Sequence, residues 1–385
     1  MTDVPVDLLE RVRRRLAVGV DEPTAGHVAD ALRAETHMCG SDTVLAILDR
    51  LRRESRGIGA LEPLVSLPGV TDVLVNGAEA VHLDRGHGLE LTDVSFGSDA
   101  EVRRLAQRLA AQAGRRLDDA SPWVDARLPD GTRFHAVLAP VARPGTVISL
   151  RVPSRRTFSL AELVAAGAVG PAGATVLRQL VAARLSFVVS GGTGSGKTTV
   201  LSALLGEVPA AERIVVVEDA TELRPDHPHV VGLEARPANV EGAGVVTVRD
   251  LVRQALRMRP DRLVVGEVRG AEVVDLLAAL NTGHEGGCGT VHANSAADVP
   301  ARFEALGVAG GLPRDAVHSQ VAAGLDAVLH LGRAADGRRR IEHLAAVVVD
   351  PSGRVSAVPA IVMAGGAARP GPAHDALAAR LERGR

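Results

Sequence analysis

The run Gly191-Gly192-Thr193-Gly194-Ser195-Gly196-Lys197-Thr198 fits G-x-x-x-x-G-K-[ST] at every position. The chemistry of that spacing is phosphate binding. Glycines let successive backbone N–H groups turn toward one anion, and a helix that starts at the end of the run adds its partial positive charge. Lys197 brings an ammonium to the β/γ-phosphates of a nucleotide. Thr198 offers a hydroxyl to Mg²⁺, and Thr199 follows in the same turn. The plainer alternative is a Gly-rich strand-to-helix turn with an incidental lysine. Against it, Lys197 is the single lysine among 44 basic residues. Arginine replaces lysine on most solvated surfaces, but not where a compact ammonium must fit a tight anion site.

Phosphoryl chemistry also needs a carboxylate. Leu263-Val264-Val265-Gly266-Glu267 reads as a buried strand ending in an acid. Glu267 there could hold Mg²⁺, partly through water, or polarise the attacking water. The bland alternative is a strand-end acid paired with Arg269. Glu218-Asp219, after Ile214-Val215-Val216-Val217 and with Glu222 nearby, is a second candidate. His292 follows a strand-like run and could reach the γ-phosphate. A zinc reading of His284, Cys288 and His292 fits no standard ligand spacing. His227 and His229 flank Pro228 and read as loop residues.

Composition excludes other classes. The net charge is −2, which gives no general attraction to nucleic acid. With no tyrosine, one tryptophan and five phenylalanines, base-stacking platforms are nearly excluded. Two cysteines, Cys39 and Cys288, cannot build a disulfide framework. No run reaches the roughly 18 apolar residues of a membrane span. Asp3, Asp7 and Glu10 precede any apolar run, the wrong order for a secretory signal, so a cytoplasmic location is expected. A G protein would need an Asn-Lys-x-Asp motif, and no lysine is left to supply it.

The elements that must position these residues follow from periodicity. Residues 1–56 read as a charged helical extension. Residues 57–150 read as a smaller α+β domain: Asn76-Gly77 marks a hairpin, residues 101–113 a helix, and Pro129-Asp130-Gly131 and Arg143-Pro144-Gly145 two turns between strands. Residues 151–162 read as a linker containing Arg155-Arg156. From residue 163 to 350 the pattern is α/β, with strands at 186–190, 214–217 and 263–265. Thr247 is placed to cap a helix with apolar positions Val248, Leu251, Val252, Ala255 and Leu256. Residues 351–385 read as a C-terminal strand and a loose tail.

Four motifs, in this order, resemble those of the type II/IV secretion ATPase superfamily: the Gly-rich loop, Glu218-Asp219-Ala220-Thr221-Glu222-Leu223, Gly266-Glu267-Val268-Arg269, and Gly283-His284-Glu285-Gly286 through Thr290-Val291-His292-Ala293-Asn294-Ser295. The tight-adherence (Flp) pilus branch, TadA or CpaF, looks most similar. Upstream, Val73-Leu74-Val75-Asn76-Gly77 and Arg127-Leu128-Pro129-Asp130-Gly131-Thr132-Arg133 extend the resemblance over residues 57–350. It implies a RecA-like ATPase domain preceded by an N-terminal domain, ATP and Mg²⁺ as cofactors, and a homo-hexamer. It also implies inner-membrane platform partners, so that membrane association is peripheral, while the balanced charge argues against direct nucleic-acid contact. Arg133 and Arg151 match arginines that reach over the nucleotide in such proteins. Members that move DNA share the motifs, so a conjugation motor is the alternative.

Overall fold

The computed structural model describes residues 25–35, 57–86, 88–153, 157–238, 242–283, 285–334, 337–364 and 366–383. Cys39, His284, Arg155, Arg156 and most of the expected helical extension lie outside them. Within that extension, helix α1 spans Ala25–Glu35. The chain divides into two compact units between Ser154 and Arg155, inside the expected linker.

The first unit opens with the short helix α2, Glu62–Val65. A hairpin of β1 (Asp72–Asn76) and β2 (Ala80–Asp84) follows, with Gly77 at φ +74° where the turn needs the left-handed region. Then come β3 (Leu89–Leu91), α3 (Asp99–Gln112), β4 (Trp123–Arg127), β5 (Arg133–Val137) and β6 (Val147–Arg151). They form an antiparallel sheet in the order β3-β2-β1-β6-β5-β4. Side chains alternate, so Val73, Val75, Phe134, Ala136, Ile148 and Leu150 share one face and bury against Leu105, Ala106 and Leu109 of α3. One rung of the opposite face carries Arg127, Arg133, Arg151, Asp72 and Asp84 on successive strands.

The second unit begins with α4 (Leu160–Ala165), capped reciprocally by Ser159 and Glu162, and α5 (Pro171–Ala182), with proline in its first turn. Then follow β7 (Phe187–Gly191), α6 (Lys197–Leu205), β8 (Ile214–Glu218), β9 (Val230–Glu234), α7 (Val248–Ala255), β10 (Arg262–Val265) and α8 (Glu272–Leu280). The chain continues with β11 (Cys288–His292), α9 (Val299–Ala309), α10 (Arg314–Gly324), β12 (Ala327–Arg333), β13 (Arg339–Val349) and β14 (Val355–Ala364). The sheet order is β15-β14-β13-β12-β7-β11-β10-β8-β9, where β15 is Ala367–Pro370. From β12 to β9 neighbours are parallel; β13 to β15 extend the sheet antiparallel.

The inner parallel strands are buried along nearly their whole length because helices cover both faces. Val189, Val216 and Val264 pack with Val200, Leu201 and Leu204 on one side. Val188, Val215, Leu263 and Val265 pack with Leu276, Leu277 and Phe303 on the other. Thr247 caps α7 as expected, its hydroxyl accepting from Asp250 N while the Asp250 carboxylate accepts from Thr247 N.

The expectation of a loose tail is corrected by the structure. Helix α11, His374–Arg383, follows β15 and packs on the sheet. Leu377 is buried in the core, and Arg380 donates to the carbonyls of Asp326 and Val347. The Ala- and Arg-rich composition hid a single apolar stripe and one anchoring guanidinium.

Candidate functional site

The Gly-rich loop joins β7 to α6. Gly191, Gly194 and Gly196 have φ of +151°, +69° and +95°, conformations that suit glycine. A Cβ on Gly191 would stand 2.6 Å from the Leu331 carbonyl oxygen and 2.7 Å from Ser195 Oγ. Gly196 is the N-cap of α6 and offers no side chain to the first-turn N–H groups. Those donors therefore remain for a ligand. Ser195 Oγ is buried without a hydrogen-bond partner among the described residues. This combination fits a bound polyphosphate.

Lys197 is the first residue of α6. Its Nζ donates to the Gly191 and Gly192 carbonyls at 3.0 and 2.9 Å and stands 3.3 Å from His292 Nδ1. Burial lowers its pKa, against the raising effect of Glu267 and Glu222. The next residue, Thr198, donates from Oγ1 to Glu222 Oε2 at 3.4 Å. Glu222, mentioned in sequence only as a neighbour of Glu218, thus stands beside the hydroxyl expected at Mg²⁺. Thr199 lies half-buried in the same turn.

Glu267 follows β10, next to β11 in the sheet, so the parallel register brings it toward His292. His292 Nε2 is 2.9 Å from Glu267 Oε1, a close approach rather than a well-aligned hydrogen bond. Arg269 donates to Glu267 Oε2. Burial alone would raise the Glu267 pKa, but the hydrogen bond and charge of Arg269, with His292 and Lys197, hold it below the ordinary carboxylate value. The pairing with Arg269 is therefore real, and it coexists with a place beside the loop. Burial, and then Lys197, pull the His292 pKa down. Thr290 Oγ1 donates to the Gly266 carbonyl at 2.7 Å and ties the two strand ends together.

Glu218 ends β8 and is buried. Its Oε1 accepts the backbone N–H groups of Glu222 and Leu223, both at 3.0 Å. Burial is the main cause that pushes its pKa up to about 7. A Cβ on Gly266 would come within 2.5 Å of Glu218 Cγ, so only glycine lets the two strand ends lie so close. Glu218 thereby anchors the turn that carries Glu222 to Thr198.

Two cavities, of about 510 and 320 Å³, flank Gly192 and Thr193. The larger is walled by His292, Asn294 and Arg302, the smaller by Ser195, His330, Arg333 and Glu342. His330 gave no signal in the sequence. It is buried on β12, and its Nδ1 lies 2.9 Å from Ser190 Oγ on β7. Cys288, the first residue of β11, is buried, its thiol pushed up to about 12 by burial. His227 Nε2 lies 3.1 Å from the Pro209 carbonyl oxygen, and His229 Nε2 lies 3.0 Å from Arg213 Nη1. Among the described residues, no group of three His, Cys, Asp or Glu is arranged to hold a metal ion by itself.

Arg133 and Arg151 belong to the first unit, directly opposite each other on β5 and β6. Arg133 Nη2 is 2.8 Å from Asp125 Oδ2, and Arg151 Nε is 3.6 Å from Asp72 Oδ1. Both arginines are exposed.

A mixed sheet whose central parallel strand opens a Gly-rich loop onto a lysine-headed helix, with acids at the ends of two nearby parallel strands, defines a P-loop ATPase. The chain belongs to the type II/IV secretion system protein family, whose model matches residues 54–358. It is 60% identical over 327 residues to a Mycobacterium tuberculosis protein with a provisional conjugal-transfer name, covering 83% of this chain and 93% of that one. It is 31% identical over 277 residues to conjugal transfer protein TrbB of Rhizobium radiobacter, over 70% of this chain and 81% of the relative. In fold it is similar to the ATPase DotB of Legionella pneumophila, with a TM-score of 0.52, 20% identity, and 77% and 81% of the two chains covered. These similarities establish the secretion family; the tight-adherence branch is a finer reading. No helix among the described residues is long and apolar enough to cross a membrane.

Proposed function

We propose that this chain is the motor of a type II/IV secretion machine, a cytoplasmic hexamer that couples ATP hydrolysis to transport through inner-membrane platform proteins. The observation that carries it is the convergence of Lys197, Thr198, Glu222, Glu267 and His292 on one Gly-rich loop. In this reading Gly191 to Thr199 hold the phosphates, and Thr198 and Glu267 hold Mg²⁺, Glu267 partly through water. The ion would neutralise phosphate charge. Glu267 or Glu218 would take the proton of the attacking water, and His292 would read the terminal phosphate. Arg133 and Arg151 would bring the N-terminal unit to the nucleotide, since guanidinium forks grip phosphate oxygens. Hydrolysis would then move one unit against the other.

The motif resemblance points to pilin as cargo. The conjugal-transfer names of the relatives favour a second reading, in which the same motor serves DNA transfer. Lys197→Ala tests the shared core: steady-state ATP hydrolysis is expected to vanish while the fold survives, and unchanged hydrolysis would sink it. Salt-dependent binding of the purified chain to duplex DNA would support the second reading over the first.

A further inference from the structure

We infer that Arg339, at the start of β13, is a second cationic contact for the nucleotide's phosphates, on the Gly196 flank of the loop. This rests on the reading of the Gly-rich loop as the ATP site. Lys197 Nζ points to the other flank, toward the Gly191 and Gly192 carbonyls and His292. At Gly196, Arg339 Cδ lies 3.6 Å from the position a Cβ would take, and no other residue outside the local chain comes within 4 Å. Gly196 is the N-cap of α6, so Arg339 lies over the helix end whose free N–H groups must meet phosphate.

The surroundings leave this arginine poised for an anion. Elsewhere in the unit, Arg178, Arg184, Arg249, Arg262, Arg314 and Arg380 each face a carboxylate. Arg339 is exposed and has no carboxylate partner among the described residues. Directly across the hairpin stands Arg333, which lines the smaller cavity with Gly192, Thr193 and Ser195. Like charges opposed on one rung destabilise a hairpin. A polyanion beside them removes that cost, and a guanidinium grips phosphate oxygens in a fork that an ammonium cannot form.

The side matters. His292 and Glu267 stand at the Lys197 Nζ end, where the terminal phosphate is read. Arg339 stands over the first turn of the helix, so its contact is with phosphates that ADP and ATP share. The test uses the full chain, with fluorescent ADP and a non-hydrolysable ATP analogue titrated at low and moderate salt. Arg339→Ala is expected to weaken both nucleotides about tenfold and to flatten the salt dependence of binding. Arg339→Lys should recover part of the loss. The unliganded Arg339→Ala protein should melt no lower than the parent, since no ion pair is broken. A loss confined to the ATP analogue, or affinities within twofold of the parent, overturns the assignment. A parent chain that binds neither nucleotide instead overturns the ATP site itself.

Discussion

Nε2 of His292 lies 2.9 Å from Oε1 of Glu267, while Nδ1 of the same ring lies 3.3 Å from Nζ of Lys197. The ammonium donates to Nδ1, which leaves the ring proton on Nε2, facing the carboxylate. Burial and Lys197 keep the ring neutral by pulling its pKa below 6.5. Acidification therefore charges His292 only below that value, and the new Nδ1 proton then confronts the ammonium. The acid limb of kcat is expected below pH 6.5 and should move in His292→Gln. His292→Ala should lower turnover more than nucleotide affinity. Equal losses in both would mean that the ring merely holds the loop.

Glu267→Gln keeps the shape but loses the charge beside Lys197, Arg269 and His292. It is expected to bind ATP and hydrolyse it about 100-fold more slowly, within the range removed with a general base. Nucleotide-trapping assays on both acids decide between them. If Glu218→Gln traps ATP and Glu267→Gln does not, their roles are reversed.

Glu218 makes a stability prediction with a definite sign. Its folded pKa, about 7, exceeds the ordinary 4.5. The folded state thus holds a proton that the unfolded chain has released. Stability from this group is complete below pH 4.5 and is lost as pH rises through 7. The loss is on the order of 3 kcal/mol at most. Glu218→Gln accepts the same two N–H groups without titrating. Its urea midpoint should vary less between pH 5 and 8 than that of the parent, and parallel decline of the two would refute the assignment.

The loop and its helix were legible in sequence because their chemistry is local. Glycine positions, the lone lysine and the Thr247 cap each act within a few residues. The strands at 214–217 and 263–265 were legible because burial on both faces leaves unbroken apolar runs. What was not legible depends on neighbours remote in sequence. Glu222 reaches Thr198 only because Glu218 holds its turn, and Ser190 meets His330 across 140 residues. Helix α11 was not legible because a narrow stripe of Leu377, Ala376 and Leu381 with the anchoring Arg380, rather than a broad apolar face, holds it.

Arg133 and Arg151 each face an aspartate, yet such exposed pairs contribute only about 0–1 kcal/mol. Their truncation should barely change the melting temperature. If they serve the nucleotide, Arg133→Ala or Arg151→Ala loses at least about tenfold in turnover, or roughly 1.4 kcal/mol of barrier. Parent-rate hydrolysis by both variants would remove the first unit from the active site.

The buried Lys197, which is 7% exposed, makes this chain its own occupancy gauge. Apart from α-amino groups, an acylating reagent finds a single amine to modify. Its lowered pKa exposes the reactive free base at milder pH than an ordinary lysine requires. A bound phosphate chain would cover that nitrogen. One acyl group per polypeptide, counted by intact mass, would therefore separate empty from filled loops. In the proposed hexamer, the distribution of zero to several labels would count how many subunits hold nucleotide at once, with no engineered probe.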